Sequence, residues 1–265
     1  MQSILRKSIG IDRKMSSMEV SEKQKYGYNA VPRLSANALS EYLTATSTRR
    51  KSIVQAAKFP KTAIVARYDA ARDGITKYLC DLGRDAGILI DAMDSQKTRG
   101  EKIEASEWIK NDSALSIEAI DNFHKAMNKL GLSKLECRSV TTNQPHLTVE
   151  GVRISVSLDA TIHRKEGVGG LILLFSKTET STTNRIERCK TAAVLAYLFT
   201  EQNLKYLGVP DHKLCFSVDV FGGKAHQTPN TYKKKLDYIQ SSCEEVALRW
   251  AITTPPADYD GPGWT

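Results

Sequence analysis

The sequence predicts an α/β fold in which helices flank a mixed central sheet, preceded by an N-terminal helical part. Three observations favour this class. Residues 152–159 alternate apolar and polar side chains over four pairs, the period of a half-buried strand. Residues 171–175 form an unbroken apolar run, typical of a central strand buried on both faces. Beyond them Asn184 can cap a helix whose apolar residues recur every three or four positions.

Length and hydropathy indicate how many domains the chain can form and whether it contains a membrane-spanning segment. With 265 residues, of which 41% are hydrophobic, the chain can bury one large core or two smaller ones, and we expect one domain with a helical extension. No apolar run approaches the roughly 18 residues that span a bilayer, and residues 1–16 lack the apolar centre of a signal peptide. The expectation is a soluble, cytoplasmic protein with no membrane partner.

Charge and cysteine spacing narrow the classes of partner and cofactor. The net charge of +8 and the isoelectric point near 9.1 favour an anionic partner, nucleic acid first, and they leave a protein partner open. The five cysteines are widely spaced and form no CxxC pair, so they indicate neither a zinc site nor a disulfide framework. We expect reduced, mostly buried thiols.

The first half of the chain divides into an arm and a helical part. Residues 1–32 show no sustained period and are predicted to be a flexible basic arm. Residues 33–131 are predicted to be helical. Ser35 can cap the first helix, the Ser/Thr cluster at 44–48 breaks it, and Arg49 lies in the opening turn of the next helix.

The helical part continues with alternating periodic and polar stretches. Residues 64–93 predict two helices, and the charged stretch 95–102 predicts a loop. A further helix is expected over 103–109. Residues 116–130 form an amphipathic helix that Gly131 ends as a C-terminal cap.

The second half of the chain, residues 132–253, predicts the α/β core, followed by an extended tail at 254–265. The period changes from helix to strand after Gly131. The remaining predicted features are strands at 134–141 and 146–149, a bend or hairpin at Glu150–Gly151, a hairpin turn at residues 167–170, a strand at 213–221 with a turn at Gly222–Gly223, and a helix at 232–252.

Two charged side chains mark the ends of the two central strands. Asp159 leaves the first strand on its polar face, and Lys177 follows the second strand eighteen positions later. A buried ammonium is costly unless paired, so we expect Lys177 to pair with Asp159, their heads within about 6 Å. The alternative for Asp159 is an aspartate on a solvated strand face.

The order of an Asp strand, a Lys strand and a helix resembles the core of the PD-(D/E)xK nuclease superfamily, and within it the RecB-type exonucleases. The resemblance implies a restriction-endonuclease-like sheet and a Mg²⁺-dependent DNA hydrolase. Asp159 would then be the metal ligand, and Lys177 would polarise the attacking water or stabilise the charged transition state. Tyr197 matches the tyrosine of the family's helix motif. His124 matches a histidine that some relatives carry upstream of the Asp; the alternative is an ordinary histidine on a helix surface.

The chain departs from the family pattern at two positions. Phe175 stands where the family has a second Asp or Glu, and Ala193 stands where the helix motif has Gln. Two carboxylates are needed because Mg²⁺ demands a nearly octahedral set of oxygens. Either another acid substitutes, with Glu187 the nearest candidate, or the site no longer cleaves. The cysteine that binds an iron–sulfur cluster in some relatives is also absent, so no cluster is predicted.

Two basic runs are the predicted contacts to nucleic acid. The first run, Arg49 to Lys51, is predicted to be a phosphate clamp because guanidinium groups suit bidentate phosphate contacts. The alternative for this run is a solvated helix start. The predicted phosphate-binding residues are Arg49, Arg50, Lys51, Lys233, Lys234 and Lys235.

Three functions remain open from sequence. The first is a metal-dependent nuclease that would degrade DNA slowly with Mg²⁺ or Mn²⁺, with Asp159 and Lys177 required. The second is a noncatalytic module that binds nucleic acid or another partner and keeps the fold although Phe175 stands in place of the acid. The third is an accessory protein whose basic surface docks an acidic protein.

Overall fold

Seven α-helices and nine β-strands make up the part of the chain that the computed structural model describes, residues 24–62, 67–141, 143–177 and 181–263. The helices are α1 (Ala36–Thr44), α2 (Ser47–Lys58), α3 (Asp69–Cys80), α4 (Gly87–Glu101), α5 (Glu107–Ala126), α6 (Thr182–Asn203) and α7 (Tyr232–Ile252). The strands are β1 (Arg33–Ser35), β2 (Glu136–Ser139), β3 (His146–Val149), β4 (Val152–Ser155), β5 (Ala160–Arg164), β6 (Gly167–Leu174), β7 (Val209–Pro210), β8 (Phe216–Asp219) and β9 (Lys224–Gln227).

The strands form two sheets. The small sheet has the order β1-β4-β3, and the large sheet has the order β2-β5-β6-β8-β9 with β7 beside β6. Strands β5 and β6 are antiparallel, whereas β6 and β8 are parallel and are joined through α6. The predicted α/β class, with mixed sheets flanked by helices, is confirmed.

Strand β6 separates two hydrophobic cores. Its side chains alternate between them: Ile172 and Leu174 pack with α1, α6, α7 and the small sheet, while Leu171 and Leu173 pack with α3, α4 and α5. All four are buried. A strand covered by helices on both faces needs apolar side chains in both directions, which explains the unbroken apolar run. Burying each such side chain stabilises the fold by about 1.5–3 kcal/mol.

Polar caps begin the first two helices, and the one at Ser35 was predicted from sequence. The Ser35 Oγ accepts a hydrogen bond from the Ala38 amide at 3.1 Å, and the Thr46 Oγ1 accepts one from the Arg49 amide at 3.4 Å. Each cap satisfies an amide that has no partner inside the helix and contributes about 1 kcal/mol. Helix α7 has the predicted bounds. Helix α6 begins earlier than predicted, because Ser181 rather than Asn184 is its cap.

The predicted loop at 95–102 is wrong. Helix α4 continues to Glu101. Helix α5 merges the helices predicted at 103–109 and 116–130, but it begins at Glu107 and ends at Ala126, so both outer bounds differ from the prediction. Helices α4 and α5 pack closely at this point: a Cβ on Gly100 of α4 would lie 3.1 Å from the Cβ of Ser113 on α5. Glycine at that position therefore serves helix–helix contact rather than a turn.

The strand predicted at 152–159 is divided between the two sheets. Strand β4 ends at Ser155 in the small sheet, and Asp159 immediately precedes β5 in the large one. Val156 and Leu158 stay buried across the crossing, so the apolar alternation continues although the strand does not.

The turn predicted at residues 167–170 is also wrong, because all four residues belong to β6. The hairpin turns at Lys165 and Glu166, where Lys165 has a φ of 53°. The turn predicted at Glu150–Gly151 is confirmed: both residues have positive φ, 46° and 74°, which is typical of a two-residue hairpin loop. Strands β1, β5, β7 and β9 are not predicted by sequence.

The two ends of the described chain meet. Asp258 accepts a hydrogen bond from the Tyr26 hydroxyl at 3.0 Å, and Asp260 accepts one from the Lys25 amide at 2.9 Å. Most of the predicted basic arm, residues 1–23, lies outside the described residues. No helix in the described ranges is both long and apolar enough to cross a bilayer.

Candidate functional site

Asp159 lies in a buried ion pair at the point where the chain crosses between the sheets. Its Oδ1 accepts a hydrogen bond from Arg72 Nη1 at 2.5 Å, and its Oδ2 accepts one from the Leu173 amide at 2.6 Å. The Arg72 Nη2 also donates to the Leu173 carbonyl oxygen. Burial raises the pKa of Asp159, and the Arg72 guanidinium opposes that rise. Helix α3 thus supplies the counter-charge that holds Asp159 in place.

The same pair lines a cleft of about 990 Å³. Helix α3, the start of α1 and the loops around β2 and β5 form its walls. Four aspartates and two basic side chains line it together with several hydroxyls. The acidic side chains are Asp69, Asp73, Asp81 and Asp159, and the basic ones are Arg72 and Lys77. An excess of carboxylates does not favour a phosphate ligand in this cleft.

Lys177 does not pair with Asp159, contrary to the sequence prediction. Its Nζ lies 2.5 Å from Glu118 Oε2 on α5, and both side chains are nearly half exposed. The ammonium also lies over the ring of Phe221, 5.9 Å from its centroid. The cost of burying an ammonium therefore does not arise, since Lys177 is not buried. An exposed pair of this kind contributes only about 0.2–1 kcal/mol.

Phe175 belongs to a cluster of aromatic rings. It stacks on Tyr68 with 5.3 Å between ring centroids, and the guanidinium of Arg72 lies 5.1 Å from its centroid. Tyr68 in turn meets Phe221 edge to face. The position at which the resemblance calls for a carboxylate therefore packs against the arginine that neutralises Asp159.

The oxygen atoms around Asp159 do not provide a coordination site for a Mg²⁺ ion. Both carboxylate oxygens already accept hydrogen bonds, and Phe175 supplies no oxygen. In the residues that the structure describes, no group of three or more His, Cys, Asp or Glu side chains could hold a metal ion. Mg²⁺ requires near-octahedral oxygen coordination, so this arrangement lacks the necessary ligands.

The other predicted catalytic residues stand apart from this cleft, and none of them lines it. Glu187 on α6 pairs with Lys190 and Lys235, and the hydrogen bond from Lys235 lowers the pKa of its carboxyl. His124 is partly exposed in the last turn of α5.

Tyr197 is the most enclosed of these residues. Its hydroxyl donates to Glu201 at 3.4 Å, and its ring meets those of His212 and Tyr232 edge to face. Burial raises the pKa of its hydroxyl. Tyr197 thus packs within α6 and its neighbours, away from Asp159's cleft.

The first basic run does not act as one unit. Arg49 pairs with Glu41 on α1 at 2.7 Å, whereas Arg50 pairs with Glu245 on α7 at 2.9 Å and lies over the Tyr42 ring. Lys51 is exposed and, two positions beyond Arg49, points to a different side of α2. Arg50 therefore joins α2 to α7. Arg49 instead joins α2 to α1, through the same Glu41 that also approaches α6.

Ion pairs connect Arg49 to Arg188 on α6, and separate ion pairs of the preceding residue, Glu187, include Lys235 of the second basic run. Glu41 also lies 3.7 Å from Arg188 on α6, and the adjacent Glu187 lies 2.6 Å from Lys235 and 3.0 Å from Lys190. Lys233 and Lys234 are exposed in the first turn of α7. We call this surface the basic face; its residues are Arg49, Arg188, Lys190, Lys233, Lys234 and Lys235. It extends over α2, α6 and α7, which are far apart in sequence.

Sequence reasoning missed three charged residues that form ion pairs: Arg72, Glu118 and Asp219. Arg72 and Glu118 partner the predicted Asp159 and Lys177, and no local pattern marks either of them. Asp219 ends β8 and accepts two hydrogen bonds from Arg185, at 2.7 and 2.9 Å. Asp219 could have been noticed in the sequence, because it is the single carboxylate in the apolar stretch 214–221. A carboxylate buried in such a stretch needs a partner.

No protein-family model matches this chain, and no curated protein matches it.

Proposed function

We propose that this protein is a restriction-endonuclease-like module that binds nucleic acid through its phosphates and does not hydrolyse it at Asp159. The phosphates contact the basic face, and recognition has little sequence preference because phosphate contacts carry no base information. One observation carries the proposal: Glu41 holds Arg49 beside Arg188, and Glu187, the residue before Arg188 on α6, holds Lys190 beside Lys235, so basic residues from distant parts of the sequence lie in two neighbouring groups.

The order of elements supports the fold part of the proposal. Strand β5 follows Asp159, the adjacent antiparallel β6 precedes Lys177, and α6 comes next before the parallel β8. This is the order of Asp strand, Lys strand and helix on which the resemblance rests.

The composition of the basic face supports phosphate binding. Its basic side chains outnumber the two carboxylates, Glu41 and Glu187, that lie between them. Each carboxylate is shared by two cations, so the face keeps a net positive charge. The carboxylates hold neighbouring cations in fixed positions, which lowers the entropic cost when those cations contact phosphate.

The surroundings of Asp159 support binding without hydrolysis. Arg72 occupies one carboxylate oxygen, the Leu173 amide occupies the other, and the excess of acids in the cleft repels a phosphodiester. Lys177 is engaged by Glu118 instead of facing Asp159. These contacts favour the noncatalytic alternative.

Binding should depend on salt and on the exposed lysines of α7. We expect Lys233→Ala with Lys234→Ala to weaken binding and to flatten the slope of log K against log salt by about 0.9 for each duplex phosphate that is no longer neutralised. Fluorescence anisotropy of duplex and single-stranded oligonucleotides across a salt series measures this. The matched control is Lys129→Ala with Lys134→Ala, which removes the same charge from exposed positions outside the face. Equal weakening in both double variants would show that only net charge matters.

DNA incubated with the protein and Mg²⁺ or Mn²⁺ should remain intact. Denaturing gels of labelled duplex and single-stranded DNA measure this for the wild type, Asp159→Asn and Lys177→Ala. A trace contaminating nuclease would cleave equally in all three preparations. Cleavage by the wild type that is abolished in both variants would refute the noncatalytic proposal and restore the nuclease hypothesis.

A further inference from the structure

The outer face of the small sheet carries a concentration of basic side chains that the basic face does not include. Arg33 on β1 and Arg153 on β4 are direct register partners in a parallel pair. Because directly paired residues point to the same side, both side chains leave the same face of the sheet, from strands about 4.8 Å apart. His146 on β3 pairs with Ser155 and shares that outer face.

The opposite face of the same sheet fixes this arrangement. Leu34, Leu147 and Ile154 alternate with the basic residues and are buried in the core. A slip of one residue in any strand would move these apolar side chains into water, so the register is strongly specified. The basic residues are therefore held on one rigid platform.

A cavity of about 210 Å³ lies over this platform. Its polar lining comes from Tyr28, Arg33, His146, Arg153 and Ser155 together with an asparagine, and no Asp or Glu lines it. Across the described ranges, neither Arg33 nor Arg153 forms an ion pair, although most of the ion-paired arginines of the protein have a carboxylate within 3 Å.

Two neighbouring like charges without a counter-charge are unfavourable in a sheet. Directly opposed like charges destabilise a strand pair, and a bound anion would relieve that repulsion. Guanidinium forks match tetrahedral oxyanions, to which they donate two parallel hydrogen bonds. The Tyr28 and Ser155 hydroxyls supply further donors at the rim.

We propose that this cavity is an anion site that binds a phosphate group, with Arg33 and Arg153 as its main ligands and His146 at its edge. The site is separate from the basic face and does not depend on nucleic-acid binding there. A free phosphate and the terminal phosphate of an oligonucleotide present the same chemistry, and the experiment distinguishes them.

The test is calorimetric titration of the full chain with inorganic phosphate, in a buffer without other oxyanions. We expect saturable binding that Arg33→Gln and Arg153→Gln each weaken at least about tenfold, the effect of removing one charge-assisted hydrogen bond. The Lys233→Ala, Lys234→Ala double variant serves as the control and should bind phosphate like the wild type. Its unchanged affinity would separate this site from the basic face.

Two further readouts make the result decisive. The ring protons of His146 should shift on phosphate addition in the wild type and not in Arg153→Gln, as measured by NMR. Neither glutamine variant should have a lower thermal stability in phosphate-free buffer, because each substitution removes a repulsion. No saturable binding by the wild type, or binding by both glutamine variants that equals that of the wild type, would overturn the proposal.

A second experiment identifies the source of the phosphate. Oligonucleotides that differ only in a 5′-phosphate or a 5′-hydroxyl are compared by anisotropy. A preference for the 5′-phosphate that Arg153→Gln removes assigns the site to nucleic-acid ends. Equal affinities, together with inorganic phosphate binding, assign it to a free phosphate or a small phosphate ester.

Discussion

Arg72→Ala should destabilise the protein by about 3 kcal/mol, because it leaves the Asp159 carboxylate buried without a counter-charge. The Asp159 side chain is 4% exposed and that of Arg72 is 32% exposed, so the destabilisation should lie at the low end for buried pairs. Thermal unfolding should report a Tm lower by roughly 10 °C. The matched control is Lys77→Ala on the same helix. Its pair with Asp73 is 67% and 64% exposed, and its removal should change stability by no more than about 0.5 kcal/mol.

The stability deficit of Arg72→Ala should depend on pH. Burial already raises the native pKa of Asp159, and removal of Arg72 raises it further. The native state then binds more protons than the unfolded state, in which the carboxyl has its ordinary pKa near 3.9, so stability falls as pH rises through this interval. Unfolding curves should show a larger deficit at pH 8 than at pH 5. Adding Asp159→Asn should recover much of the stability. A deficit that is equal at both pH values would mean that the missing packing against Phe175 dominates instead.

The sequence marked Asp159 and Lys177 as charged residues next to apolar strands but did not identify the partners of their charges. A carboxylate that leaves an apolar strand, and a lysine that follows one, are local patterns. Arg72 and Glu118 lie 87 and 59 positions away from the residues they neutralise, and no periodicity relates them. The three-dimensional arrangement of α3 and α5 against the sheet decides those contacts. Sequence therefore indicated a counter-charge for Asp159 without its identity, and it predicted wrongly that Lys177 is buried and needs one.

The same distinction applies to the fold. Helix α7 could be predicted to the residue because its buried positions Ile239, Cys243, Val246 and Trp250 recur at intervals of three and four. The alternation through 152–159 predicted burial correctly and strand continuity wrongly, since side chains keep alternating while the backbone changes sheets. Apolar periodicity predicts which side chains are buried, but it does not predict with which strand the backbone pairs.

The glycines of β6 illustrate a sequence signal whose cause lies in packing. Glycine clusters favour turns, which led to the turn predicted at residues 167–170. In the structure Gly169 lies inside β6, opposite Ile162 of β5, and the backbone of the 3-10 turn His212–Leu214 approaches it directly. A Cβ on Gly169 would lie against the carbonyl carbon and oxygen of Leu214, well inside van der Waals contact. The missing side chain makes room for another segment of backbone.

Gly169→Ala is therefore expected to destabilise the protein by about 3 kcal/mol or more, at the upper end for overpacked sites, because a backbone carbonyl cannot rotate away as a side chain can. Strand propensity alone predicts a gain of about 0.5–1 kcal/mol for the same change, so the sign of the effect separates the two explanations. Chemical denaturation measures it. Gly27→Ala is the control, since its added Cβ would meet Pro60 no closer than 3.7 Å. If Gly169→Ala matched or exceeded the wild type in stability, the close approach of Leu214 to β6 would be wrong, and with it the position of the turn that leads into β8.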